Sequence, residues 1–195
     1  MMIQAEKFEE AKMMMQNFKE DHQVNPNEKT KSNFIHSKLF IYINSWKHYD
    51  LPEIDKEFWQ LVKDRETSFN LRYLINMYTN FSIAYFNQGN YAKMDIYNAC
   101  ILTSTAQEKN ADYYKARIVE LIIHFEMRNY DILDDLVRNI RREKDYRKYL
   151  KIVDTGFFSL LKWAAKSPQD IKKQKELFRG KFCGDDLIQL WLDKP

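Results

Sequence analysis

Seven cations fall between residues 138 and 151: Arg138, Arg141, Arg142, Lys144, Arg147, Lys148 and Lys151, with Tyr146 and Tyr149 among them. Cations gathered on one surface neutralise phosphates or carboxylates, and rings set between them can stack on single-stranded bases. The run lies in a longer basic region. From Arg138 to Lys181 there are 14 Lys and Arg against 5 Asp and Glu, whereas the whole chain carries only +3. The excess is therefore local, as a binding surface requires. A plainer use competes with it. Arg141 and Arg142 stand where cations offset the negative end of a helix, and Tyr149 falls on one apolar stripe with Leu150 and Val153. A solvated, dipole-matching face is the first expectation, an acidic protein partner the second, and nucleic acid an unfavoured third.

No catalytic constellation accompanies these cations. His22, His36, His48 and His124 lack ligand spacing of the His-Glu-x-x-His kind, and the two cysteines, Cys100 and Cys183, form neither a disulfide framework nor a zinc site. Cys100 reads as a buried, inert thiol and His124 as a partly buried packing residue. Asp134-Asp135 and Asp185-Asp186 are adjacent pairs. On a helix such neighbours point about 100° apart, so both read as acids favoured at helix starts. There is no glycine-rich phosphate loop, nucleophile elbow or kinase-like signature. The expectation is a chain that is not an enzyme and uses neither metal nor cofactor.

The elements that position these residues are predicted to be helices. Aromatic residues reach 15% while Gly and Pro number 4 each, too few turn residues for an all-β fold. At 195 residues one domain spanning 1–195 is expected, large enough to bury roughly 70% of its unfolded surface. The first residues, Met1 to Lys19, lack the order of a signal peptide, and no run approaches the ~18 apolar residues of a membrane span. A soluble, cytoplasmic chain is expected.

Apolar periodicity and capping residues then place helices at about Ile3–Glu20, Glu28–Ser45, a third after Pro52, and Asn70–Gln88 with Ser68 as its cap. Gly89 and Asn90 end that helix and begin Tyr91–Thr105. Ala111–Met127, Tyr130–Arg142 and Asp145–Ala165 follow, then a ninth helix to Phe178 and a short amphipathic tail around Trp191 that caps the stack. Two of these hairpins are copies. At a constant offset of 39 residues Ile83 matches Ile122, Phe86 matches Phe125, Asn90 matches Asn129, Tyr91 matches Tyr130, Asp95 matches Asp134 and Ile101 matches Ile140.

Ser82, Ala84, Tyr85, Gly89, Asn90 and Tyr91 resemble the tetratricopeptide pattern of a small residue and a tyrosine before a Gly-Asn-Tyr turn. From Leu71 to Leu192 the chain also resembles the C-terminal part of uncharacterised bacterial proteins with tetratricopeptide-like repeats. The resemblance implies an all-α fold, a right-handed stack of antiparallel helical hairpins forming an α-α superhelix of about nine or ten helices, and it admits a longer parent protein. Met94, Leu121 and Leu133 stand where the pattern has small residues, and the period exceeds the usual ~34, so wider packing is expected.

The resemblance further implies a protein-interaction module with a concave groove for a peptide or a neighbouring domain. Its groove positions carry over to Asn76, Thr79, Asn80, Ile83, Phe86 and Asn87, then Lys115, Ile118, Ile122, Phe125 and Glu126. The alternatives are anion or nucleic-acid binding by residues 138–151, and scaffolding within a longer protein.

Overall fold

The computed structural model describes residues 28–45, 50–64, 69–146, 156–166, 175–176 and 191–193. The expected first helix, the ninth helix up to Phe178 except residues 175–176, Ser68, Cys183 and Asp185-Asp186 lie outside them. Among the described residues all regular structure is helical, in seven long helices: α1 (Glu28–Ser45), α2 (Leu51–Asp64), α3 (Leu71–Gln88), α4 (Tyr91–Thr105), α5 (Ala111–Glu126), α6 (Tyr130–Arg142) and α7 (Gly156–Lys166). None is long and apolar enough to cross a membrane. Within the span expected to be one domain, the chain divides into two compact units, Met1–Gln88 and Gly89–Pro195.

In the first unit α1 packs on both α2 and α3. Phe58 of α2 is fully buried and meets the rings of Tyr78 and Phe81 of α3 at centroid distances of 5.9 and 5.1 Å. Edge-to-face and tilted aromatic pairs of this kind contribute about 0.5–1.5 kcal/mol each beyond the area they bury. Pro52 sits in the first turn of α2, where a missing N–H breaks no intrahelical bond. Two buried polar groups of this unit, Lys38 and Asp55, are paired across helices. Lys38 of α1 reaches both carboxylate oxygens of Glu57 at 2.7 Å, and the Tyr85 hydroxyl donates to the buried Asp55 carboxylate. Burial, and then this carboxylate, drive the Tyr85 phenol well above its ordinary range.

In the second unit α5 is central and touches α4, α6 and α7. Of its residues only Ala111 and Lys115 are exposed. Its start is capped by Asn110, whose side chain accepts from the backbone N–H groups of Asp112 and Tyr113 at 3.0 and 3.2 Å. Glu143, just past α6, ties the two hairpin ends together. It accepts from the Tyr113 hydroxyl at 3.1 Å, pairs with Lys109 at 3.1 Å, and hydrogen-bonds Tyr114. Burial and that carboxylate push the Tyr114 phenol up to about 12.

The 39-residue repeat is visible in the backbone and in burial. Tyr91 and Tyr130, one period apart, are both first residues of helices. The matched positions Met94 and Leu133, Ser82 and Leu121, Phe86 and Phe125, and Ile101 and Ile140 are all buried. Gly89 has φ 72° and its counterpart Arg128 has φ 61°. The same left-handed turn is thus made twice, once by the residue that adopts it freely and once by one whose Cβ opposes it. The boundaries Tyr91–Thr105 and Tyr130–Arg142 agree with the sequence reading, but α3 starts one residue later than expected. Its cap is Asn70, whose Oδ1 accepts from the Arg72 N–H at 2.8 Å.

Arg128→Gly is expected to raise stability by about 0.5–1 kcal/mol in urea unfolding, and Gly89→Ala to lower it by about 1 kcal/mol, because left-handed backbone penalises a Cβ.

Candidate functional site

An enclosed helix must have partners for its polar side chains, because an unpaired buried charge is costly. On α5, Arg117 and Glu120 form a half-buried ion pair. Burial pushes the Glu120 carboxyl above its ordinary value. The Nε of Arg117 has no hydrogen-bond partner. Asn129 Nδ2 lies 3.3 Å from His124 Nδ1, so the histidine joins the turn before α6 and takes a packing role. Glu126 accepts from the Trp191 indole N–H at 2.7 Å, lies 3.9 Å from the Lys175 ammonium, and hydrogen-bonds Tyr91. Trp191 is fully buried, with its ring edge-on to Phe125 and Phe157 at 5.7 Å. Trp191 therefore packs against apolar side chains of α5 and α7 in the second unit.

That packing changes the reading of the groove positions on α5. Ile122 is 0% exposed and Phe125 6%, with Phe125 enclosed by Tyr130 and Trp191, and Phe86 on α3 is also buried. These three side chains are core and offer no open surface, because large apolar groups on these faces lower their free energy by leaving water. Ile118 is buried too, and Glu126 is engaged by the tail. Lys115 and Asn76 are exposed, while Thr79, Asn80, Ile83 and Asn87 are half-buried. Thr79 donates to the Ile75 carbonyl of its own helix at 2.8 Å.

The basic run presents a different picture. Arg138, Arg141, Arg142 and Lys144 are all exposed, Tyr146 is buried, and Arg147, Lys148, Tyr149 and Lys151 lie outside the described residues. A buried Tyr146 cannot stack on a base. Arg138 and Arg141, three residues apart on α6, face α7 across an open cleft of about 300 Å³. Asp134 and Val137 complete the α6 wall, and Phe158, Ser159 and Lys162 form the α7 wall. The Arg141 guanidinium lies 5.1 Å over the Phe158 ring. Lys162 is 3.4 Å from Asp134, while Arg138 binds the Asp135 carboxylate and the Asp134 carbonyl of its own helix. Three cations thus line the cleft against one carboxylate.

Lys162, Asp134, Val137 and Phe158 were not assigned to a site by sequence. The signal available was modest: Asp134, Val137, Arg138 and Arg141 recur at three- and four-residue steps, but nothing local pairs them with a helix beginning at Gly156. Cys100 is half-buried, and burial raises its thiol above the ordinary value, as suits an unreactive group. Among the described residues no group of three or more His, Cys, Asp or Glu could hold a metal ion. Comparison with protein-family models, curated proteins and solved structures finds no match to this chain.

Glu120 should leave a pH signature. Its folded-state value lies above its unfolded one, so the folded chain binds the extra proton, and stability falls as pH rises through the raised value. Thermal melting across that window should show Glu120→Gln losing the decline. Trp191→Ala should cost about 3–5 kcal/mol in chemical unfolding, as for other buried tryptophans.

Proposed function

We propose that this chain is a non-enzymatic protein-interaction module, a tetratricopeptide-like helical array that recognises an acidic partner through the cleft between α6 and α7. The observation that carries this reading is the cleft itself, where Arg138, Arg141 and Lys162 surround an opening of about 300 Å³. Its volume is at the small end of ligand sites, which run from about 300 to 1,000 Å³. A segment of one or two residues fits it. Cations on a folded rim of this kind speed encounter with an acidic partner and select against basic ones.

The position of the charges supports the same reading. Arg117, Glu120 and Glu126 of α5 are turned to internal pairing, whereas the cations of α6 and α7 face water. Peptide recognition on α3 is a second reading, favoured by Asn76, Thr79, Asn80 and Asn87 all keeping some solvent access. It differs from the first in being insensitive to salt.

The triple variant Arg138→Glu, Arg141→Glu, Lys162→Glu separates the two. Capture of partners from native lysate should be lost at low salt for the triple variant, with its circular dichroism unchanged, and wild-type capture should weaken at least tenfold on going to high salt. Capture that survives both treatments would transfer the function to α3.

A further inference from the structure

The cations of the cleft are not equivalent. Lys162 and Arg138 already sit beside carboxylates, Asp134 at 3.4 Å and the neighbouring Asp135 respectively. Arg141 has no carboxylate partner among the described residues. Its guanidinium carbon instead lies 5.1 Å over the buried Phe158 ring. A cation–π contact of this kind leaves the guanidinium N–H groups to engage a carboxylate, which an arginine fork grips through two parallel hydrogen bonds. The cleft therefore contains one prepared carboxylate receptor and one cation whose partner, Asp134, is exposed and replaceable.

We propose that the cleft binds a segment of a partner protein bearing two closely spaced carboxylates, one gripped bidentately by Arg141 and the second taking the place of Asp134 at Lys162. This rests on the interaction reading above and adds the chemistry of the ligand and the division of labour among the cations. Asp134 is in this account an internal competitor, holding Lys162 in position until a ligand carboxylate replaces it. Arg138, anchored along its own helix by Asp134 and Asp135, supplies field more than contact. Arg141 selects by shape as well as charge: a planar fork matches two carboxylate oxygens, and an ammonium does not.

Fluorescence anisotropy with a fluorescein-labelled Glu-Glu-Ala-Glu-Glu peptide tests this on the full chain. Arg141→Lys, which keeps the charge, should weaken binding about tenfold. Asp134→Asn should tighten it by about threefold, since an exposed ion pair is weak and its removal frees Lys162. Both residues are exposed, so neither change should disturb folding. If Arg141→Lys binds like wild type, or Asp134→Asn binds more weakly, the division of labour is wrong while the acidic-partner reading stands, provided the triple reversal still abolishes binding. If wild type binds the peptide no better than the triple reversal does, both fall. A labelled oligothymidylate that outcompetes the peptide would overturn both in favour of nucleic acid.

Discussion

Helix α5 has almost no solvent face, and much of the second unit follows from that. A helix in contact with α4, α6 and α7 at once must be apolar around most of its circumference, and Tyr114, Ala116, Ile118, Leu121, Ile122, Ile123 and Phe125 meet the demand. Arg117 and Glu120 pair within the helix, and other polar residues take partners from elsewhere. Glu126 therefore draws Trp191, Lys175 and Tyr91 to one carboxylate, and His124 meets Asn129. Trp191 is held by the Glu126 carboxylate, by the rings of Phe125 and Phe157, and by the Lys175 ammonium 4.4 Å over its own ring.

Bulky residues are buried at equivalent places of the repeat. Met94 and Leu133 occupy equivalent places and are 0% and 3% exposed, and Leu121 is fully enclosed. The first pair is bulky in both copies, whereas Leu121 is matched by the small Ser82, which is also buried. The turns show the same logic in the backbone. Gly89 and Arg128 adopt one conformation although their chemistry differs, so the packing of the helices on either side of the turn outweighs the local preference of arginine.

Charge follows the same division between inside and outside. Carboxylates near the core, Asp55, Glu126 and Glu143, collect hydroxyls, an indole and ammonium groups. The carboxylates beside the cations of α6 and α7, Asp134 and Asp135, are exposed, so that attraction is screened by water and worth little. Such a surface loses little by exchanging an internal ion pair for an external one. That property makes the cleft suited to binding, whereas the buried pairs would resist any exchange.

The sequence by itself determined the helical class, five helices to within a residue, the cap Asn90, and the 39-residue equivalence of two hairpins, because apolar period and capping chemistry are local. It also marked Arg138 and Arg141 as cations of interest. Tertiary structure decided which apolar positions stay open. Phe125 and Ile122 read as lining, but both are buried, and Trp191, far along the chain, packs against Phe125. Only the fold could set Lys162 3.4 Å from Asp134, or Arg141 over Phe158, since these partners stand on different helices. A helical face can be read along one segment. Which other face it meets depends on contacts between distant segments, and those are fixed by packing.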